Sequence, residues 1–317
     1  MGRRKNNNFI HIALAVILIT IFSVVGYELN IKIEKNYNLN TQVNNNVENV
    51  INTNIVENSS NLKIHYIDVG QGDSAIIEQN GHYMLIDAGT NECEQDLIAY
   101  IDSLGITKFD YIIATHAHED HIGSMDTVIN KYDVDKILFA KHTTTTKTFE
   151  NFVMAVKNKG LQLYAPSVGE EFVFENSKFI VLAPNSQNYE ELNDYSIVIK
   201  VKYGDTSYLF TGDAEKLSED EMLNNNLDLS ADVLKVGHHG SKSSTTQKFL
   251  NAVNPKYSVI SVGKDNDYGH PTQIVMNRLK NKNIDVYRTD ESGTIVLTSD
   301  GKNISFNKDV GSYIGGK

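Results

Sequence analysis

Residues 109–121 read FDYIIATHAHEDH, and this stretch decides the fold. Its first half is an apolar, β-branched run that is typical of a buried strand. Its second half, HAHEDH, places three imidazoles and the Asp120 carboxylate within six residues. His116 and His118 are two positions apart just beyond the strand, so their side chains share one face of an extended segment. Asp120 and His121 follow where we expect the chain to turn into a helix beginning near residue 122.

This group of side chains predicts a metal site. Imidazole and carboxylate suit borderline divalent cations such as Zn²⁺, and such a cluster is not buried together without a cation. The alternative is a solvated histidine-rich loop, but an exposed loop would not normally follow so apolar a strand. We therefore predict metal ligation by His116, His118, Asp120 and His121.

Two later segments offer further donors at the ends of strands. Asp213 ends the run SYLFTGD, where a carboxylate can bridge two cations, and DVLKVGHHGS places His238 and His239 after another apolar run. Taken alone, either segment could be a turn aspartate or a surface histidine pair. Their order behind HAHEDH in one chain favours a site for two metal ions.

The segments from residue 62 onward alternate between strand-like and helix-like patterns. Short β-rich runs separated by Gln-Gly-Asp and Asn-Gly predict hairpins, and apolar residues at helical spacing predict a helix over 94–104. Further helices are predicted over 148–157, 214–223, 246–253 and 273–280. The mixture predicts an α+β fold in which two mixed β-sheets pack face to face beneath flanking helices.

The first 27 residues predict a membrane anchor. Residues 1–8 form a short basic segment, which we expect to stay in the cytoplasm. Residues 9–27 are almost wholly apolar, and as a helix they would be roughly 28 Å long, close to the hydrocarbon thickness of a bilayer. We predict an uncleaved, single-pass transmembrane signal anchor, with a cleaved signal peptide and a secreted protein as the alternative. Both readings place the following chain outside the cytoplasm.

Residues 28–61 predict a flexible tether. Between positions 30 and 61, 12 of 32 residues are Asn, and so polar a composition buries too little surface to fold. The globular domain is therefore assigned to residues 62–317.

Composition narrows the class of site. The single cysteine, Cys93, excludes an intramolecular disulfide and a thiolate metal cluster. The net charge of −11 argues against a non-specific coat on nucleic acid. That average hides an asymmetry, because residues 232–288 hold nine Lys and Arg against four Asp. This basic section also carries the later histidines.

The ordered motifs HAHEDH, FTGD and GHHGS resemble the metal-binding motifs of the metallo-β-lactamase superfamily. More narrowly, the sequence resembles the hydrolase domain of the ComEC family of DNA-uptake proteins, and its small stand-alone relatives, over about residues 62–298. The segments that carry this resemblance are IHYIDVGQGDSAIIE, THAHEDHIGS, NDYSIVIK, LFTGDAE, DVLKVGHHGSKSS and YGHPT. The resemblance implies an αββα sandwich with two divalent metal ions at one edge. Zn²⁺ is favoured and Mn²⁺ is the alternative.

The resemblance also implies a ligand set of His116, His118, Asp120, His121, Asp213 and one of His238 and His239. We prefer His238, the first residue past the strand.

Two departures from the family pattern matter. The superfamily commonly supplies a third His to the first metal, but the corresponding segment LNDYSIVIK has none and offers Asn193 or Asp194 with Ser196. The first site is therefore expected to bind its metal more weakly or through a water. ComEC proteins also carry a long multi-helix channel with no counterpart in this sequence, so only the hydrolytic module is implied.

These features predict a metal-dependent hydrolase, a phosphodiesterase or nuclease that uses a hydroxide held by two metal ions. Asp120 would orient that hydroxide. Asp73 and His270 are further catalytic candidates, and the substrate-contact candidates are Asn193, Ser196, Ser241 and Lys242. The alternative for Asp73 is a turn-capping carboxylate, and for His270 a packing residue at a helix entry.

The predicted partners are a phosphodiester substrate, with nucleic acid or an envelope polymer as candidates, and the membrane through residues 9–27. No obligate protein partner is inferred. A hydrolase of esters, thioesters or lactams is the alternative enzyme, although an amide hydrolase would be expected to keep the complete three-His site. A non-catalytic, metal-stabilised envelope binding module is the alternative from another class, and it would be expected to lose a ligand such as Asp120.

Overall fold

The computed structural model of the protein describes residues 61–316. The predicted basic start, the predicted transmembrane span over 9–27 and the tether up to residue 60 lie outside the described residues. Within residues 61–316, no helix is long and apolar enough to cross a membrane.

The first β-sheet has eight strands within the described residues, in the order β15-β14-β1-β2-β3-β4-β5-β6. Neighbours are antiparallel from β15 to β3 and parallel from β3 to β6. The carboxyl ends of β3, β4 and β5 therefore meet at one edge of the sheet. The strands are β1 (Leu62–Tyr66), β2 (Ala75–Gln79), β3 (His82–Ile86), β4 (Lys108–Ala114), β5 (Asp133–Phe139), β6 (Leu163–Tyr164), β14 (Ile295–Ser299) and β15 (Ile304–Phe306).

The second sheet has seven strands in the described part of the chain, in the order β13-β12-β11-β10-β9-β8-β7. β10, β11, β12 and β13 are parallel, and the pairs from β10 to β7 are antiparallel. The strands are β7 (Glu171–Phe174), β8 (Ser177–Ala183), β9 (Val198–Tyr203), β10 (Thr206–Phe210), β11 (Val233–Lys235), β12 (Tyr257–Ile260) and β13 (Asp285–Arg288).

The helices lie on the connections between these strands. They are α1 (Glu94–Ser103), α2 (Glu119–Ile122), α3 (Met125–Lys131), α4 (Lys147–Asn158), α5 (Lys216–Asn224), α6 (Gln247–Val253), α7 (Gln273–Asn281) and α8 (Thr289–Ser292). Two 3-10 turns, Leu192–Tyr195 and Gly237–Gly240, adjoin the candidate site. Thr146 and Thr246 cap α4 and α6, because their hydroxyl oxygens accept hydrogen bonds from backbone N–H groups in the first turn.

Three apolar layers hold the sandwich together. The middle layer joins the inner faces of the two sheets and includes Phe179, which packs against Phe172 with ring centroids 4.9 Å apart. The outer layers join the first sheet to α1, α3 and α4, and the second sheet to α5, α6 and α7. Each large apolar side chain that is fully buried in such a layer contributes roughly 1.5–3 kcal/mol. This layering is what places helices on both outer faces.

The predicted α+β sandwich of two mixed sheets with flanking helices is confirmed. Two local boundaries differ from what the sequence pattern indicates. The strand-like run YSIVIKV begins at Tyr195, but the strand begins at Val198, because the 3-10 turn precedes it and the Ile197 N–H donates to the Thr115 carbonyl beyond the edge of the other sheet. The helix expected near residue 122 begins at Glu119, since the His118 carbonyl accepts the N–H groups of two residues in that turn.

Candidate metal centre

The predicted donors converge because the ends of strands from both sheets lie at one edge of the sandwich. β4 leads into His116 and His118, and the short helix after them carries Asp120 and His121. From the facing sheet, β10 leads to Asp213 and its parallel neighbour β11 leads to the histidine pair His238 and His239. The structure thus brings together side chains that are up to 123 positions apart in the sequence.

Four of these side chains form a compact donor cluster: Asp120, His121, Asp213 and His239. Their ligand atoms all lie within 4.8 Å of one another. His121 Nε2 is 3.3 Å from Asp213 Oδ1. His239 Nε2 is 3.2 Å from Asp120 Oδ2 and 3.6 Å from Asp213 Oδ2. We call this group the four-donor cluster.

The four-donor cluster fits a divalent metal ion. Ligands at about 2.0–2.2 Å around a tetrahedral ion lie roughly 3.3–3.6 Å from each other, and the separations within the cluster are close to that range. Asp213 Oδ1 and His121 Nε2 are buried and face each other at 3.3 Å, and within residues 61–316 neither atom has a further hydrogen-bond partner. Buried polar atoms are rarely left unpaired, and a cation ligated by these atoms would account for both.

His116 and His118 form a second pair of donors beside the cluster. His116 is fully buried, and its Nε2 is 3.0 Å from His118 Nδ1. The His116 ring centroid is 4.2 Å from that of His121, so the pair adjoins the four-donor cluster. Within residues 61–316, no compact group of three or more His, Cys, Asp or Glu donors includes both His116 and His118.

The segment that lacks the third histidine lies behind the pair. Ser196 Oγ is 3.4 Å from His116 Nδ1 and accepts a hydrogen bond from the Asp213 N–H. Asn193 lies farther along, where its Nδ2 donates to Glu215 Oε1. Ser196 therefore contacts the ring nitrogen of His116 that faces away from His118, and both residues are placed to support ligands.

The two adjacent histidines differ in position. The backbone is left-handed at both His238 and His239, with φ values of 49° and 52°, a conformation that costs on the order of 1–3 kcal/mol in a non-glycine residue. Only His239 joins the four-donor cluster. His238 Nδ1 is instead 3.1 Å from Glu215 Oε1, and its Nε2 is 3.6 Å from Asp213 Oδ2. The geometry thus favours His239 as the ligand over His238, which the sequence argument had preferred.

A buried carboxylate that sequence reasoning missed orients His121. Asp87 follows β3 and is fully buried, and its Oδ2 is 2.8 Å from His121 Nδ1. The same carboxylate accepts the N–H and hydroxyl of Thr115. Since Nδ1–H donates to Asp87, the Nε2 atom of His121 is left to face the cluster. The signal was present in HYMLIDAG, an apolar run ending in Asp, as in SYLFTGD.

Asp73 lies behind His239 rather than in the open part of the site. Its Oδ2 is 2.7 Å from the Nζ of Lys235, and its Oδ1 is 3.2 Å from His239 Nδ1. Both members of this ion pair are buried. His239 Nδ1–H also donates to the Ser261 carbonyl at 2.9 Å, which leaves Nε2 for the cluster. At this position Asp73 can orient the ligand His239. The position does not fit a surface turn cap or a group that touches substrate.

The remaining predicted contacts lie at the rim. The ring of His270 is 5.6 Å from that of His238, and the Lys242 side chain is exposed in a cleft beside Ser243. Ser241 is buried, with its hydroxyl 2.9 Å from that of Ser243. Ser241 therefore supports the wall of the cleft, while His270 and Lys242 are placed to meet a bound molecule.

Burial and charge shift the pKa values of the cluster. Burial would lower the pKa of His239, but the carboxylates of Asp213, Asp73 and Asp120 raise it to about 10. The pKa of His121 is raised well above its ordinary value in the same way, against burial, chiefly by Asp213 and Asp87. A divalent cation at this position would replace the protons that these carboxylates attract.

Outside the four-donor cluster, the pKa values of two histidines are shifted in the opposite direction. Burial lowers the pKa of His116 well below its ordinary value, and the neighbouring His121 lowers it further. Burial, with His238 and His239 nearby, lowers the pKa of His270 to about 4. Both rings are therefore neutral at pH 7. Neutral imidazole is the form that ligates metal.

Comparison with known proteins agrees with this site. Residues 67–264 match the family described as the metallo-beta-lactamase superfamily. The chain is 34% identical to ComE operon protein 3 of Bacillus subtilis, over 75% of this chain and 33% of that protein. It is 30% identical to Recombination protein 2 of Haemophilus influenzae, over 74% and 28% of the two chains, and 28% identical to Competence protein ComA of Neisseria gonorrhoeae, over 72% and 31%. The chain thus spans about a third of the length of these relatives.

A solved structure supports the fold. The metallo-beta-lactamase fold protein YhfI from Bacillus subtilis is similar with a TM-score of 0.54 and 12% identity, over 76% of this chain and 100% of that one. The resemblance to the competence proteins is confirmed by the relatives above. This fold implies divalent metal ions, and the residues present fit them. The chain belongs to the metallo-beta-lactamase superfamily.

Proposed function

We propose that this protein is a metal-dependent phosphodiesterase whose centre holds two divalent metal ions. The observation that carries the proposal is the four-donor cluster, in which the buried atoms Asp213 Oδ1 and His121 Nε2 face each other at 3.3 Å and, among residues 61–316, have no further partner. The pair His116 and His118 adjoins it and supplies donors for a second ion.

The metal ions, when bound, supply Lewis-acid charge and lower the pKa of water. The two carboxylate oxygens of Asp213 face His121 and His239, and its charge also acts on His116, so this residue can serve both ions. Asp120 is the most exposed member of the cluster, with 30% of its side chain accessible. Burial would raise its pKa, but His121 and His239 hold the pKa of this carboxyl below its ordinary value. Asp120 is therefore ionised and can accept a proton or hydrogen bond from an attacking water.

His270 has a narrower role than a general acid. A ring with a pKa of about 4 carries no acidic proton at pH 7, so it does not protonate a leaving group in that form. Its Nδ1 atom is buried and has no hydrogen-bond partner in the part of the chain that the structure describes. We assign His270 to contact with the substrate, next to His238.

A phosphodiester is the substrate class that the surroundings favour. The basic section over 232–288 carries His239, and its Lys242 and Lys248 line a cleft beside His238, which suits an anionic backbone. Relatives named for competence and recombination support nucleic acid in particular. The first metal site lacks the third imidazole, and this departure argues against a lactam hydrolase.

The test uses purified full-length protein. Bound metal is measured by elemental analysis, and hydrolysis of bis(p-nitrophenyl) phosphate and labelled single-stranded DNA is measured with added Zn²⁺ or Mn²⁺. We expect metal-dependent cleavage that falls more than about 100-fold in Asp120→Ala. Turnover of ester or lactam substrates alone would favour the alternative hydrolase, and bound metal without turnover on any of these would favour a binding module.

We also propose that residues 9–27 anchor the protein in the cell membrane, with the metal centre outside the cytoplasm. The proposal is supported by the length of this apolar run and by the basic residues before it. Cell fractionation and protease treatment of intact cells test it. Recovery of the full-length chain in the soluble cytoplasmic fraction would contradict it.

A further inference from the structure

A buried lysine lies behind the metal centre. Lys235 is the last residue of β11, and only 5% of its side chain is accessible. Its Nζ atom is 2.7 Å from Asp73 Oδ2 and donates to the Val236 carbonyl at 3.1 Å. Replacing a buried ion pair with apolar side chains of similar volume is often neutral or stabilising. Stability alone therefore does not explain why this strand ends in a lysine.

Asp73 relies on this lysine for its position. The other supporting carboxylate, Asp87, accepts both the N–H and the hydroxyl of Thr115. Within residues 61–316, the ion pairs of Asp73 are with Lys235 and His239 alone. Asp73 Oδ1 is buried, and beyond the facing His239 Nδ1 at 3.2 Å it has no partner among those residues. Lys235 is therefore the group that fixes the direction of the Asp73 carboxylate.

Asp73 in turn acts on the ring of His239. His239 Nδ1 faces Asp73 Oδ1 at 3.2 Å and the Ser261 carbonyl at 2.9 Å. Its Nε2 atom therefore faces Asp120 Oδ2 and Asp213 Oδ2, at 3.2 and 3.6 Å. A carboxylate behind a ligating imidazole fixes the orientation of the ring and raises its basicity. One carboxylate and one imidazole thus connect the lysine to the four-donor cluster.

The charge of Lys235, taken alone, acts against metal binding, because it repels a nearby divalent cation. Lys235 is the only lysine or arginine of the described residues that pairs with a carboxylate of the centre, which are those of Asp73, Asp87, Asp120 and Asp213. Holding a carboxylate behind a ligand acts in favour of metal binding. The two effects have opposite signs, so removal of the lysine distinguishes them.

We infer that Lys235 is a positioning residue for the metal ion of the four-donor cluster. Its ammonium group fixes Asp73, and Asp73 holds the ring of His239 with Nε2 toward the ion. The inference rests on the metal centre of the proposed function and adds a residue that touches neither metal nor substrate. The orientation of this ligand is then set from β11, within the second sheet, as well as by the loop that carries His239.

The first experiment removes the charge of the lysine. Metal-free, full-length Lys235→Met is titrated with Zn²⁺ in competition with a chelator of known affinity, and heat is recorded. The affinity of the four-donor cluster should fall roughly 10–100-fold, while binding at the pair His116 and His118 should stay as in the wild type. A rise in affinity would show that the lysine acts through its charge alone, and an unchanged affinity that it serves stability alone. Either result would overturn the inference.

The matched control is a second buried lysine in the same sheet. Lys200 lies in β9, with 2% of its side chain accessible, and its Nζ atom is 2.7 Å from Asp228 Oδ2. Asp228 precedes β11, at the end of that strand opposite the metal centre. Lys200→Met should therefore keep the wild-type affinity for Zn²⁺. An equal loss of affinity in both lysine variants would overturn the inference, because it would reflect general destabilisation.

A paired variant keeps the test open if Lys235→Met does not fold. That variant leaves the Asp73 charge buried without its cation, which is strongly destabilising, whereas Asp73→Asn/Lys235→Met removes both charges. The net charge of the centre is then unchanged, so repulsion of the metal ion does not enter the comparison. Affinity of the four-donor cluster for Zn²⁺ should still fall roughly 10–100-fold. Wild-type affinity in the paired variant would show that this ion pair does not position His239.

The failure of this inference differs from failure of the proposed function. If the wild type cleaves bis(p-nitrophenyl) phosphate with metal and Lys235→Met binds Zn²⁺ as tightly as the wild type, the phosphodiesterase stands and the role of Lys235 is refuted. If the wild type binds Zn²⁺ but cleaves no phosphodiester, the proposed function fails, and weaker binding in Lys235→Met still supports the positioning role. If the wild type binds no metal, both fail.

Discussion

The two halves of the metal centre are built differently. The four-donor cluster draws two carboxylates and two imidazoles from three loops, with ligand atoms within 4.8 Å of one another. The other half offers only the neighbouring imidazoles of His116 and His118, with Ser196 behind the former. The halves also differ in charge, since the cluster contains the Asp120 and Asp213 carboxylates and the pair contains neither. We therefore expect one tightly held and one weakly held ion.

The supporting residues follow the same division. Asp87 orients His121, and the ion pair of Asp73 and Lys235 lies behind His239. The corresponding partner of His116 is the hydroxyl of Thr115, 3.1 Å from its Nδ1 atom. Carboxylate partners raise the basicity of a metal-bound imidazole more than a hydroxyl does. We therefore expect the groups behind the ligands, as well as the ligands themselves, to set the affinity for each ion.

The largest effect is expected from Asp213, which belongs to the four-donor cluster and whose charge also acts on His116 in the other half. Asp213→Asn keeps the size of the side chain but removes the charge that faces His121 and His239. Affinity for both ions should fall by more than about 100-fold, together with phosphodiesterase activity. Elemental analysis after gel filtration measures the first effect. Retention of the tightly held ion in this variant would contradict the role of Asp213.

Variants that each remove one ligand should affect the two ions differently. His239→Ala removes a donor of the four-donor cluster, so the tightly held ion should be lost, whereas His118→Ala should leave that ion in place and abolish the weaker binding step. Each loss should exceed roughly 100-fold in affinity. Calorimetric titration of metal-free protein distinguishes the two steps. The account would be wrong if His118→Ala removed the tight step.

Removing a supporting carboxylate should have an intermediate effect. Asp87→Asn leaves every ligand in place but takes away the charge that His121 Nδ1 faces at 2.8 Å. We expect about a 10–100-fold loss of affinity for the tightly held ion and little change for the other. Asp102→Asn is the matched control, because Asp102 is a carboxylate of α1 paired with Lys131 on the surface.

The smallest effect concerns pH. At pH 7 the metal-free cluster holds protons on His239, whose pKa is about 10, and on His121, whose pKa is also raised. Ligation needs neutral nitrogen, so affinity for the tightly held ion should rise with pH by up to about tenfold per unit for each displaced proton. His116 is already neutral because its pKa is lowered. Titrations in buffers of different ionisation enthalpy should show protons released in the tight step and fewer in the weak one.

Much of the fold could be predicted from the sequence because its signals are local. Apolar residues at helical spacing identified the helix that the structure has at Glu94–Ser103, and the predicted span 148–157 lies inside Lys147–Asn158. The start of β9 could not be predicted in this way. Residues 195–197 look like strand, but the N–H of Ile197 pairs with Thr115 of the other sheet, a contact that only the tertiary structure provides.

That the candidate ligands lie together could be predicted from the sequence, and their hydrogen-bond partners less so. HAHEDH, TGD and HHGS each follow an apolar strand, so their donors could be anticipated at one edge. The choice between His238 and His239 depends on a left-handed turn at both residues, which spacing does not reveal. Lys235 was overlooked because a single lysine in an apolar strand reads as solvent-exposed, yet it is buried against Asp73. The predicted membrane anchor stays a prediction.

The central claim is tested most directly by locating the ions. Crystals of the protein grown with one equivalent and with excess Zn²⁺ would be examined by anomalous diffraction at the zinc edge. We predict a single peak among Asp120, His121, Asp213 and His239 at one equivalent, and a second peak beside His116 and His118 only in excess zinc. A first peak at the His116 and His118 pair, or no peak within the four-donor cluster, would contradict the account.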